Sequence, residues 1–202
     1  MPEPFVSLSF DNVVKTPFKR KNINYGILIG NEKIVFIKAG CGRDLIKPNN
    51  KYLKMAHRVH ERLGATVICA SNPYIEGGHI MADKAMILEI TSQIKLSNFE
   101  LYFVGVSDGA YHNLLLANEF PETVKILGIN SSRKTPEDLK EKLFALKNIS
   151  KILVYGTKDY ERDIIPFLKK INPDNTKIIN IEGANHEFEG MEKEFIELID
   201  LL

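Results

Sequence analysis

The chain has 202 residues, 27 Lys and Arg against 26 Asp and Glu, and 44% apolar residues, for a net charge of +1. That balance leaves no electrostatic footprint for nucleic acid or an anionic membrane surface. Two cysteines, Cys41 and Cys69, cannot form a disulfide scaffold and lie at no metal-ligand spacing; no apolar run approaches spanning length, and "MPEPFVSLSF" lacks the basic n-region of a signal peptide, so a cytoplasmic location is expected.

Taken in chain order, "FVSLSF" (5–10) and "NYGILIG" (24–30) have no helical pattern between them and predict an antiparallel hairpin at a sheet edge. The basic stretch "PFKRKN" (17–22) reads as a solvated turn. "KIVFIKAG" (33–40) is a buried-strand pattern that runs into a glycine loop. In "NNKYLKMAHRVHERLG" (49–64), Leu53, Ala56, Val59 and Leu63 share one helical face and Gly64 is a stop signal. The strand "ATVICA" (65–70), the loop "SNPYIEGG" and the helix "MADKAMILEITSQIKL" (81–96) follow.

Next come the strand "ELYFVGVS", the helix "DGAYHNLLLANEF" stopped by Pro121, and the strand "VKILGIN" (124–130). "TPEDLKEKLFALKN" opens with Thr135 as N-cap, Pro136 in first place and Asp138 completing a capping box. "KILVYG" (151–156) is a strand, and Asp163 is expected to cap the helix "IIPFLKKIN". "TKIINIEG" (176–183) and "MEKEFIELIDLL" close the chain. A hairpin followed by repeated β-α units implies an α/β fold: a three-layer α/β/α sandwich around a mostly parallel sheet. No linker, repeat or low-complexity segment interrupts it, so one domain over residues 1–202 is expected.

Gly105-Val106-Ser107-Asp108-Gly109 stands where a strand becomes a helix. The carboxyl ends of strands are where such sheets place ligands. A serine at a sharp strand-helix bend exposes its hydroxyl, and glycines two positions away remove side chains that would collide. A tight turn with an idle serine is the plain alternative. A phosphate-binding turn is disfavoured, because neither G-x-G-x-x-G nor a Walker pattern is present. A serine hydroxyl needs a base to become a nucleophile. "VYGTKDYERD" places Asp159 just past one strand end, and "IEGANHEFEG" places His186 just past the last. The expected roles are Ser107 as nucleophile, His186 as base and Asp159 as the acid that orients the imidazole. Glu161 and Asp163 are alternative acids.

An oxyanion would need donors from the backbone N–H of Asp108 and from the loop "KAGCGRD", where Cys41 supplies the N–H and Gly40 permits close approach to substrate. Tyr74 and Ile75, after another strand end, are expected pocket residues. His57 and His60 read as a solvated helix face, His112 as packed or solvated, and His79 as a loop residue near the site edge. No metal ligand set emerges, and no cofactor is expected.

The hairpin, the glycine loop after the third strand, the "GVSDG" elbow, the "GTKD" acid loop and the "GANH" histidine loop together resemble the α/β-hydrolase family over nearly the whole chain. The resemblance implies a serine hydrolase that acts on a small-molecule acyl substrate through an acyl-enzyme, with the same five residues in the roles given above. Two features depart from the family's pattern. Ala39-Gly40 stands where His-Gly is frequent, and only "SSRK" (131–134) occupies the place of a cap domain. A lidless, open and tolerant site is therefore expected. A non-catalytic protein of the same fold that binds a ligand or a partner is the alternative reading.

Overall fold

The computed structural model describes residues 8–46, 49–74, 79–132 and 135–202. Eight strands form one sheet: β1 (Asn12–Phe18), β2 (Lys21–Leu28), β3 (Asn31–Lys38), β4 (Ala65–Ala70), β5 (Glu100–Val106), β6 (Thr123–Ile129), β7 (Ser150–Gly156) and β8 (Thr176–Ile181). Their spatial order is β1-β2-β4-β3-β5-β6-β7-β8. The β1–β2 and β2–β4 pairs are antiparallel, and every later pair is parallel. The helices are α1 (Lys51–Leu63), α2 (Ile80–Gln93), α3 (Asp108–Ala117), α4 (Pro136–Ala145), α5 (Ile165–Ile171) and α6 (Glu192–Glu197).

The central strands are apolar on both faces because both faces are covered. In β3, Ile34 and Phe36 point into a core shared with Met86, Ile87 and Ile90 of α2, Leu114 of α3, Leu139 of α4 and Leu168 of α5. Val35 and Ile37 point the other way, toward Tyr52, Met55 and Val59 of α1 and Phe195 of α6. All four β3 residues are fully buried. The expected three-layer α/β/α arrangement is thus observed.

The hairpin is present, but its first strand is β1, not the stretch 5–10. Residues 5–7 lie outside the described residues, and 8–10 form no strand. In β1, Val14, Thr16 and Phe18 are half-buried while Asn12, Val13, Lys15 and Pro17 are exposed. Pro17 argues against a strand only where both edges pair, and among the described residues no strand pairs with the outer edge of β1. The turn falls at Lys19-Arg20, with Lys19 at φ 54. Lys21 and Asn22, expected in the turn, begin β2 instead.

Helix ends follow the local chemistry with one exception. Gly64 closes α1 at φ 62, and the Thr135 side chain accepts from the N–H of Asp138 at the start of α4. The Asp138 carboxylate is engaged by the Tyr111 hydroxyl at 2.5 Å. Asp163 does not cap α5, whose preceding residue, Ile164, offers no side-chain bond. The capping carboxylate is Asp159: it opens a 3-10 turn over Tyr160–Ile164 and accepts from the N–H of Glu161 at 3.1 Å. The 3-10 turn runs straight into α5, so Asp163 falls inside a helical segment, where no cap is required.

Candidate active site

The bend between β5 and α3 sets the first functional group. Ser107 has φ 53 and ψ −123, a conformation that costs an L-residue roughly 1–3 kcal/mol and persists only when the surroundings hold it. The surroundings do so through backbone. Ser107 N–H donates to the Ile129 carbonyl at 2.8 Å, and the Ser107 carbonyl accepts from Ala110 and Ser132. A Cβ on Gly105 would lie 2.5 Å from the Ala110 nitrogen, and one on Gly109 would lie 2.5 Å from the Lys38 carbonyl oxygen. Both glycines are therefore required by close backbone approach.

The other two groups arrive from neighbouring strand ends. Asp159 follows β7 and His186 follows β8. His186 Nε2 lies 2.9 Å from Ser107 Oγ, and His186 Nδ1 lies 2.8 Å from Asp159 Oδ1. The Asp159 side chain is fully buried, whereas that of His186 is 13% exposed. Asp159 Oδ2 is buried and has no hydrogen-bond partner among the described residues. A carboxylate so placed favours the imidazole tautomer with the proton on Nδ1, which leaves Nε2 to accept from the serine hydroxyl.

Backbone ties hold the acid and histidine loops in register. Lys158 N–H donates to the Ala184 carbonyl at 2.9 Å, and Gly183 N–H donates to Thr157 Oγ1 at 2.9 Å. Asn130, fully buried at φ 46 just beyond β6, joins them: its amide donates to the His186 carbonyl at 3.0 Å, and its oxygen accepts from Gly156 N–H at 2.9 Å. Sequence reasoning overlooked Asn130; asparagine at a strand end, where left-handed backbone is tolerated, was the available signal.

The loop after β3 completes this edge. Gly40 N–H is committed to the Tyr52 hydroxyl at 3.0 Å. No hydrogen bond among the described residues engages the N–H of Cys41 or of Asp108. The loop is fixed by an isolated antiparallel bridge between Arg43 and Asn72: Asn72 N–H donates to the Arg43 carbonyl at 2.9 Å, and Gly42 N–H donates to Asn72 O at 2.7 Å. Burial first, then the nearby Asp108 carboxylate, pushes the Cys41 thiol up, so it is poorly suited to be a thiolate nucleophile.

Ser107 and His186 open onto a pocket of about 150 Å³, also walled by Gly40, Cys41, Arg43, Tyr52, Val106, Tyr160 and Glu187. Tyr160 stacks on the His186 ring, with centroids 4.3 Å apart. A larger hollow, of about 360 Å³, between α2, α3 and α4 touches none of these residues. Tyr74, expected in the pocket, is 76% exposed and is not part of its wall; its carbonyl instead receives the Lys21 ammonium at 3.0 Å. Ile75 lies outside the described residues. Arg43, Tyr160 and Glu187 were overlooked, although each is within two residues of a residue already singled out.

The remaining histidines have other partners. His57 Nε2 meets the Ser9 carbonyl and His60 Nδ1 the Ala65 carbonyl, both at 2.8 Å. His79 is buried, 3.3 Å from Lys38 Nζ, and the His112 ring lies 5.9 Å from its own. Among the described residues, no three His, Cys, Asp or Glu side chains group to hold a metal ion, and no helix is long and apolar enough to cross a membrane.

No family model and no curated protein matches the sequence. Solved structures do match. A putative α/β hydrolase from Agrobacterium tumefaciens superposes with a TM-score of 0.73 at 17% identity, covering 94% of each chain. XC6422 from Xanthomonas campestris, an α/β serine hydrolase without a lid, gives 0.66 at 14% identity over 94% of this chain and 92% of its own. Est1E from Butyrivibrio proteoclasticus gives 0.67 at 14% identity over 94% and 96%; it is also known with ferulic acid bound. The chain has the α/β-hydrolase fold. Only residues 130–135 separate β6 from α4, which leaves no length for a cap domain there.

Proposed function

We propose that this chain, with an α/β-hydrolase scaffold as its starting point, is a serine hydrolase that cleaves a small ester or related acyl bond. One observation carries the reading: the continuous hydrogen-bonded chain from Ser107 Oγ through both ring nitrogens of His186 to Asp159. Its position at adjacent strand ends and the unengaged N–H groups of Cys41 and Asp108 support it. So does the fold shared with XC6422 and with Est1E, a protein that binds an aromatic acid.

In this reading Ser107 Oγ attacks the acyl carbon while its proton passes to His186 Nε2. The carbonyl oxygen gains the negative charge and accepts from the N–H groups of Cys41 and Asp108. Asp159 stabilises the imidazolium without taking its proton. Collapse of the tetrahedral species breaks the bond to the leaving alcohol, which departs with the proton from His186. Water, deprotonated by His186, then attacks the acyl-serine, the acid is released and Ser107 Oγ regains its proton. The chemistry calls on no cofactor, and the whole chain acts as one domain.

The test is a fluorophosphonate probe on the native protein, with mapping of the modified residue. Ser107 alone should be labelled, and Ser107→Ala should remove labelling with unchanged far-UV circular dichroism. Absence of labelling in folded protein would favour a ligand-binding protein of the same fold.

A further inference from the structure

The wall of the pocket carries two opposite charges, Arg43 and Glu187, and a third charge, Lys51, lies behind it. Arg43 Nη2 lies 2.8 Å from Glu187 Oε1, and Lys51 Nζ lies 3.2 Å from Glu187 Oε2. One carboxylate thus faces two cations. The Lys51 side chain is 5% exposed, with its ammonium over the rings of Phe195 and Tyr52 at 4.8 and 5.5 Å from their centroids, so water screens it little. Burial alone would raise the Glu187 carboxyl; hydrogen bonding to Arg43 and the charge of Lys51 overcome it and hold the group below its ordinary range. Glu187 is therefore ionised at neutral pH and is one carboxylate set against two cations, while the carboxylates of Asp108 and Asp159 lie on the other sides of the serine, next to Cys41 and His186.

Arg43 is the member that can meet a substrate. Its side chain is 39% exposed, and its backbone is fixed by the bridge to Asn72. Glu187 takes Nη2, while no hydrogen bond among the described residues engages Nε or Nη1. A guanidinium held on one side by a carboxylate keeps a planar pair of donors suited to another anion. Of the nine pocket residues, only Val106 has an aliphatic side chain beyond Cβ that carries no charge, so a neutral alkyl group gains little there.

Resting on the serine-hydrolase reading, we propose that the substrate carries a negative charge close to the scissile bond, as in a half-ester of a dicarboxylic acid, and that Arg43 recognises it. This narrows the broad tolerance expected from a lidless site. The fold leaves the site open, and selectivity comes from the free donors of Arg43.

The experiment compares matched substrates on wild-type protein in which fluorophosphonate labelling of Ser107 has been established. On the acyl side, mono-4-nitrophenyl adipate is set against 4-nitrophenyl hexanoate. On the alcohol side, 4-acetoxybenzoate is set against its methyl ester. At least one anionic member should exceed its neutral partner in kcat/KM by about tenfold at low ionic strength, and the pair that responds tells which side carries the charge. The ratio should fall toward one on raising salt, a readout that needs no variant. Arg43→Gln should bring the ratio near one, chiefly through KM. Equal or better cleavage of both neutral partners, by unlabelled enzyme from a preparation whose Ser107 reacts with the probe, would overturn the anionic-substrate inference while leaving the hydrolase reading intact. Failure of both labelling and turnover would overturn the two together.

Discussion

Two charged clusters border the loop of residues 39–41, one at each end, and they are built in opposite ways. Beyond the loop, Arg43, Glu187 and Lys51 line or underlie the pocket; Arg43 and Glu187 remain 39% and 35% exposed. Before it, Lys38 at the end of β3 is fully buried, with Asp83 of α2 at 2.8 Å. The Tyr25 hydroxyl donates to Asp83 Oδ1 at 2.9 Å, and His79 packs 3.3 Å from the lysine. Burial and then the Asp83 charge push the Tyr25 phenol far up, so it remains a donor at any physiological pH. The sealed cluster balances its charges and has no access to ligand. In the open one a single carboxylate answers two cations, and Arg43 has donors to offer. Charge alone does not mark a site; charge left partly unanswered beside a cavity does. The sealed cluster should govern stability, and the open one selectivity.

The strongest way to break that division is Lys38→Met. It leaves the buried Asp83 carboxyl with, among the described residues, a tyrosine as its one remaining side-chain donor, and removal of one partner from a buried pair costs about 3–5 kcal/mol. Urea unfolding should show a loss of that order. The double variant Lys38→Met/Asp83→Leu should recover most of it, short of about 1 kcal/mol for the abandoned Tyr25 hydroxyl. A single-variant loss below 1 kcal/mol would mean that water reaches the pair and that the cluster is not sealed.

Acid should reveal the same cluster. Burial first, then the charges of Lys38 and His112, lower the His79 pKa to about 4; the Asp108 charge and a hydrogen bond to the Pro73 backbone act in the other direction. The unfolded chain takes up this proton near pH 6.5 and the native chain only near 4. His79 therefore contributes stability that is fully present above pH 6.5 and drains away as pH falls toward 4. The drain should reach roughly 2–3 kcal/mol by pH 4. His79→Gln should flatten this part of the stability–pH profile, and an unchanged slope would show that His79 is free to protonate in the native state.

How much of this the sequence carried depends on the range of the interaction. Strand-helix alternation, the elbow glycines and the helix stop at Gly64 are local signals, so β3 to β8 and the bend at Ser107 were legible. That Ser107, Asp159 and His186 would lie on one edge followed from topology, since parallel strands bring their ends together. Strand β1 was misplaced because Pro17 hides an edge strand whose inward face is only half-buried. Asp163 reads as a cap in the sequence because the 3-10 turn begun by Asp159 has no periodic signature. The clusters were invisible for another reason. Lys38 with Asp83, and Arg43 with Glu187, are 45 and 144 positions apart in the numbering, and no local pattern distinguishes a lysine that turns inward at a strand end from one that meets water.

The smallest stability effect should come from the open cluster, and it sharpens the division most. Glu187→Gln removes the only carboxylate between Arg43 and Lys51 among the described residues. Its side chain is 35% exposed, so solvent screening limits the expected loss at pH 7 to about 1 kcal/mol. Because the Glu187 carboxyl is held below its ordinary value, the contribution is present above pH 4.5 and is lost only as pH falls further; in Glu187→Gln that decline should be missing. Selectivity should move the other way. The wall loses a negative charge and frees Arg43 Nη2, so preference for an anionic ester over its neutral partner should widen at low salt. A loss of several kcal/mol with unchanged substrate preference would place Glu187 with Lys38 and Asp83 as a structural ion pair, and the contrast between the two clusters would fail.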